Sequence, residues 1–304
     1  MSVTIEQGQS VAEQTVMLSL SLGVVTNRRK LKSDTEAVDT EIDRGMLHLS
    51  VDLFDAPEQK RCQKYLTALK ANINNYTVPS FFRGGMYLVK MEAVEKVDVM
   101  IEKAIEDFKP VVRAFADVVE QRRDESRARL KGAFDVRHYP TREQVLAGYT
   151  VEKRWLTMST PQSLKQISAS FFEREKAKAE ESIRTATEEI TKLLAAEAKK
   201  LTVHLIERLT PGPDGKAKIF RDSAVSNISE FLATFNLRNI GGSDELNAQI
   251  SKIRQLIDGV DPEALRTNDT VKESVANGFK QVAEELDKLV VAKPSRMFDF
   301  QEVA

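Results

Sequence analysis

The sequence predicts a mainly α-helical, α+β protein: a small β-sheet with packed helices, plus an elongated antiparallel helical coiled-coil arm. Three observations carry that prediction. Apolar residues recur in steps of three and four through Val94, Val97, Ile101, Ile105, Phe108, Val112, Phe115 and Val119, one face of a helix. Two short stretches, 16–25 and 86–89, are patterned as strands. Between Pro161 and Leu209 neither Gly nor Pro interrupts a run dominated by Ala, Glu and Lys. Its apolar stripe is narrow, about two positions per heptad, which is the pattern of a coiled-coil seam.

In chain order, Val16, Leu18, Leu20, Leu22 and Val24 alternate with mostly small residues, a strand with one buried face. Residues 27–45 are charged and aperiodic, a loop or a solvated helix. Pro57 opens a helix that turns Tyr65, Leu66 and Leu69 inward and ends near Asn74 and Asn75. MYLV (86–89) is a short buried strand. The helix at 91–119 keeps its phase across Pro110, so a kinked helix is predicted. A helix at 141–148 capped by Thr141, with Glu143 nearby, precedes a second β-like segment, YTVEKRWLTMS. Residues 1–160 thus form an α+β body.

Residues 161–260 form the arm. At ~1.5 Å per residue its first helix reaches roughly 70 Å. Ile183, Ile190, Leu193, Leu201 and Leu205 mark its interaction seam. After the turn TPGPDGK, helices at about 221–235 and 243–258 fold back along it, broken apart at Gly241 and Gly242. Intramolecular pairing is favoured over pairing between chains. Residues 261–304 supply a last helix (271–291) returning to the body and a loose tail.

Composition narrows the function classes. The 304 residues are 41% hydrophobic and 30% charged, with 45 basic and 46 acidic side chains and a net charge of −1. No global basic field is present to hold nucleic acid or an anionic membrane, and both are disfavoured as partners. The single cysteine, Cys62, excludes an intrachain disulfide and suits a reducing cytoplasm. VMLSLSLGVV has acids before it and a basic cluster after it, the reverse of a secretory signal, and no apolar run approaches the ~20 residues of a membrane span.

No residue set converges on catalysis, and neither a cofactor nor a metal is expected. PGPDGKAK lacks the spacing of a phosphate loop. His48, His138 and His204 lack ligand spacing. Asp52 and Asp55 read better as caps before Pro57 than as a carboxylate pair. Cys62 in KRCQKY invites a somewhat lowered thiol pKa, but no partner is evident. Trp155 reads as half-buried core. Arg28, Arg29 and Lys30 are a candidate basic patch, and Arg122 with Arg123 a second, although acids follow both closely.

FFRGGMYLVK (81–90) offers Arg83, Gly84 and Gly85 as a candidate anion nest, since paired glycines permit positive φ. The structural alternative is a tight corner feeding the strand at 86–89, and it is favoured. The aromatic-R-G-G-x-Y-L-V entry, the long helix, FDVRHYPTREQVLAGYTVEKRW and FRDSAVSNISEFLATFNLRNI together resemble a phage- and plasmid-borne family, a domain of unknown function. The likeness runs from about residue 15 to about residue 290. Genes of that family often lie beside MoxR- or CobS-like AAA+ ATPases and CobT-like proteins with a von Willebrand factor A domain. The resemblance implies an accessory or client of such a motor in a phage or mobile element. The long seam and the absence of a convergent catalytic set point with it to a non-enzymatic interaction or assembly protein, with an AAA+ ATPase or a second copy as partner. A membrane-active helical protein and a nucleic-acid-binding accessory protein are the alternatives.

Overall fold

The computed structural model describes residues 11, 13–30, 50–80, 84–157, 160, 163–210, 223–258, 265 and 268–291. Six strands and eight α-helices follow in order within these residues: β1 (Thr15–Leu22), β2 (Arg28–Lys30), β3 (Ser50–Asp52), α1 (Pro57–Asn74), β4 (Val78–Pro79), β5 (Met86–Lys90), α2 (Met91–Leu130), α3 (Arg142–Gly148), β6 (Val151–Leu156), α4 (Leu164–Ile167), α5 (Ala169–Leu209), α6 (Ser223–Arg238), α7 (Asp244–Ile257) and α8 (Asp269–Val291). The main sheet has the order β4-β5-β1-β6 and is antiparallel throughout. It is open, not a barrel.

The sheet lies between two helical layers, which explains why β1 is more apolar than a one-faced strand needs. Leu18 and Leu20 of β1 join Tyr87 and Val89 of β5 against Leu69 and Ile73 of α1 and Val97 and Ile101 of α2. The alternate residues Met17 and Leu88, with Val78, face the other way into the core of α5, α6, α7 and α8. Expecting one buried face therefore understated the strand. A further cluster lies along α1, α2 and α3, where Phe54 meets Phe115 edge-on at 5.5 Å and Tyr139 at 5.2 Å.

Helix α2 runs 40 residues through Pro110 without a break and well past Val119. Pro110 and Glu106, whose carbonyl the proline cannot serve, both lie on the exposed side, where water can replace the missing donor. Arg127 and Arg129 sit in the last turn, favourably placed for the helix dipole. Thr141 caps α3 as predicted, but the reciprocal partner of the capping box is Gln144 rather than Glu143. The aperiodic stretch after 27 contains β2, which pairs with β3; residues 31–49 lie outside the described residues.

The elongated coiled-coil arm is not formed. The chain breaks first at Ser168, whose extended backbone separates α4 from α5 and whose hydroxyl accepts the Phe171 N–H. Helix α5 then spans 41 residues and packs most extensively on α8, and also on α6 and α7, within the core that takes Met17, Val78 and Leu88 from the sheet. Leu194 and Ala195 are both fully buried, and Leu201 and Ile206 pack beside buried Thr202 and Leu205, so the apolar face is too broad for a two-stranded seam. Ala186, Ala195 and Ala198 are buried on the same helix. The result is a multi-helix bundle fused to one face of the sheet. It is bound in place by Lys90 Nζ donating to the Asn236 carbonyl at 2.7 Å and Asn75 Nδ2 donating to Glu230 Oε1 at 3.2 Å.

Candidate functional site

The side chains singled out by sequence do not come together. Arg28 pairs with Asp52 across β2 and β3 at 3.2 Å, and Arg29 donates to the Ala133 carbonyl at 3.5 Å. The basic patch is thus divided between a carboxylate and the backbone, with Lys30 at the strand end. Arg122 grips Glu58 with two hydrogen bonds of 2.8 and 3.1 Å and also binds Glu125. Its hydrogen bonds to Glu58 and Glu125 raise its pKa further, and the Glu58 carboxyl is held below its ordinary range by the same contact. A guanidinium so engaged is a tie between α1 and α2, not a phosphate ligand.

Asp52 and Asp55 do not cap α1. The N-cap is Ala56 without a side-chain bond, and Pro57 itself removes one of the donors a cap would serve. Asp55 instead bridges Lys60 at 2.8 Å and Arg129 at 3.2 Å, which lower its pKa. Cys62 is fully buried, and burial pushes its thiol up to about 11, the reverse of what its basic neighbours in sequence suggested. Those neighbours point to solvent while the helix turns the thiol inward. His138 lies 3.6 Å from Asp135, and His204 is half-buried on α5; His48 lies outside the described residues.

Gly85 has φ +80° and its carbonyl accepts the Leu20 N–H at 2.8 Å, closing the corner into β5. A Cβ there would stand 2.9 Å from the Leu20 carbonyl, whereas Gly84 has open space around it. These contacts serve the corner; Arg83 lies outside the described residues. Of the seam residues, Ile183, Ile190 and Leu205 are buried and Leu201 half-buried, but Leu193 is 41% exposed because its neighbour Leu194 takes the core position.

The feature that sequence reading passed over is the outer edge of β6. Gly23 and Thr150 exchange backbone hydrogen bonds (2.9 and 3.4 Å), which sets the phase of the antiparallel ladder. The register then assigns Glu152, Arg154 and Leu156 to bonds with β1, leaving the N–H and C=O groups of Val151, Lys153 and Trp155 directed away from the sheet. No described strand lies beyond them. The side chains of these three turn toward α2: Trp155 Nε1 donates to Asp98 Oδ1 at 2.8 Å, and Lys153 Nζ reaches Asp98 at 2.5 Å and Glu102 at 2.7 Å. The Lys153 and Trp155 hydrogen bonds hold the Asp98 carboxyl below its ordinary range. Glu152 and Arg154 are exposed on the opposite face, and neither makes an ion pair among the described residues. The strand-like character of VEKRWL was legible in the sequence, but not its alternating exposure or which edge would stay unpaired.

Beside this edge is a groove of about 400 Å³ lined by Phe108, Val112, Leu146, Tyr149 and Val151, with Lys109 and Arg113 at its rim. Burial pushes the Tyr149 hydroxyl up to about 12, so it stays protonated. Among the described residues no group of His, Cys, Asp and Glu is placed to hold a metal ion, and no helix is long and apolar enough to cross a membrane. No family model matches the chain, and no curated protein or solved structure matches it, so the resemblance to the phage- and plasmid-borne family, and the phage origin it implies, gain no support from known proteins.

Proposed function

We propose that the protein works by binding rather than by catalysis, as an interaction and assembly component, and that β6 is its recognition edge. The observation that supports this reading is the row of backbone groups at Val151, Lys153 and Trp155 that no described strand pairs. An exposed sheet edge is a template for another strand. Of the charged side chains on the strand, Lys153 is committed to Asp98 and Glu102, whereas Glu152 and Arg154 stand exposed. Helix α2, held to the strand through Asp98 and Glu102, backs that edge. A cytoplasmic setting belongs to the same proposal, since the one cysteine is a buried thiol that suits a reducing compartment.

An accessory role beside an AAA+ ATPase of the MoxR or CobS type is the partner context proposed, on the strength of the sequence motifs alone. Hydrogen–deuterium exchange on the purified full chain, with and without such an ATPase, tests the reading. Amides of Val151, Lys153 and Trp155 exchange fast in the dilute free chain and slow on complex formation. Unchanged exchange at these three amides under every binding condition would sink it.

A further inference from the structure

Strand β6 carries more information than an open edge. A symmetric antiparallel pair must set edge-directed residues opposite edge-directed residues, so the two-fold axis can pass only through certain positions. Centred on Glu152, the pairing opposes Glu152 to Glu152 of the second copy; centred on Arg154, it opposes two arginines. Centred on Lys153, it sets Glu152 of each copy against Arg154 of the other, twice, and Val151 against Trp155, twice. Only this last register lets the whole strand overlap while every exposed charge meets its opposite.

We infer that two copies of this chain pair antiparallel through β6, with Lys153 on the two-fold axis, joining two four-stranded sheets into one. The inference rests on the reading of β6 as a recognition edge and names its occupant. Lysine in the middle of an edge strand ordinarily discourages such pairing. Here its Nζ is already drawn off the edge toward α2 and held by both Asp98 and Glu102, with only 15% of the side chain exposed. Two lysines so compensated can approach across the axis. Glu152 and Arg154, exposed and without ion pairs in a chain that pairs most of its neighbouring charges, gain theirs in the dimer. In this register they fall at a non-hydrogen-bonded position, where facing side chains lie closest.

Sedimentation velocity on the full chain from about 1 to about 100 µM tests this, together with Arg154→Glu, Glu152→Arg and the double exchange. The expected result is a concentration-dependent dimer in the wild type. Each single reversal puts like charges opposite each other twice and weakens association by about tenfold or more, and the double exchange restores it. Both positions are on the surface, and unchanged far-ultraviolet circular dichroism and melting temperature certify the fold. A wild-type chain that stays monomeric overturns the inference, as does a dimer indifferent to all three variants. Exchange at Val151, Lys153 and Trp155 separates the two readings. A monomer whose β6 amides are protected by the ATPase loses self-pairing but keeps the recognition edge, and a monomer protected by nothing loses both.

Discussion

Replacing Leu194 by alanine, beside the matched change at Leu193, measures which face of α5 is the core. Leu194 is fully buried among α5, α6, α7 and α8, whereas Leu193 is 41% exposed. Removing three carbons from a closed site costs about 2.4 kcal/mol in transfer at ~0.8 kcal/mol per CH₂. The cavity left behind adds to this, and about 3–4 kcal/mol is expected in all. At Leu193 no closed cavity forms and much of the side chain already meets water, so the expected loss is about 1 kcal/mol or less. Urea unfolding followed by circular dichroism reads the difference directly. At a slope of about 3 kcal/mol per molar, the Leu194→Ala midpoint falls by about 1 M, and that of Leu193→Ala by about 0.3 M or less. A two-stranded seam through Leu193 demands the opposite ranking. Equal losses, or a greater loss at Leu193, would refute the bundle packing argued from burial.

Two further outcomes follow from local geometry. Gly85→Ala forces a Cβ to 2.9 Å from the Leu20 carbonyl at a positive φ and is expected to cost about 1–3 kcal/mol, against about 0.5 kcal/mol or less for Gly84→Ala; matched melting temperatures would remove the corner argument. Cys62, raised by burial from 9.0 to about 11, should resist a thiol reagent at pH 8 in the folded chain and react at once in urea. Because the unfolded thiol ionises first, this group's contribution to stability is complete below pH 9.0 and is lost as the pH climbs toward about 11. Cys62→Ala should show a shallower alkaline decline, and a native thiol that reacts at the unfolded rate would contradict the burial.

The elements that depend on neighbours in sequence were legible before the structure. The alternation around Leu18 marked β1, the three-four spacing from Val97 to Phe115 marked α2, and Thr141 marked the start of α3. Each is written in local periodicity or in one capping side chain, so a short window contains the whole signal. The arm failed for a different reason. Counting Ile183, Ile190 and Leu205 as a seam was sound as far as burial goes, but Ala195 and Ala198 between them were not counted. Alanine gives no strong hydrophobic signal, yet Ala186, Ala195 and Ala198 are all buried, and with Leu194 they widen the face from a stripe to a bundle surface.

The candidate site was less legible than the fold. Acidic residues near a proline looked like caps, but Asp55 found partners in Lys60 and Arg129, the latter from a distant helix. A thiol among lysines and arginines looked activated, but helix phase turned it away from them. By itself the sequence determined most of the helices, the longer strands β1, β5 and β6 and the absence of a strong charge field, because propensity, periodicity and net charge are properties of the chain; the short strands β2, β3 and β4 and the break at Ser168 carry no such signal. Tertiary structure alone decided which helix covers which face, which carboxylate meets which base, and that no described strand lies beyond β6. Those depend on contacts between residues far apart in sequence, and backbone hydrogen bonding at a strand's edge is indifferent to the side chains that a sequence records.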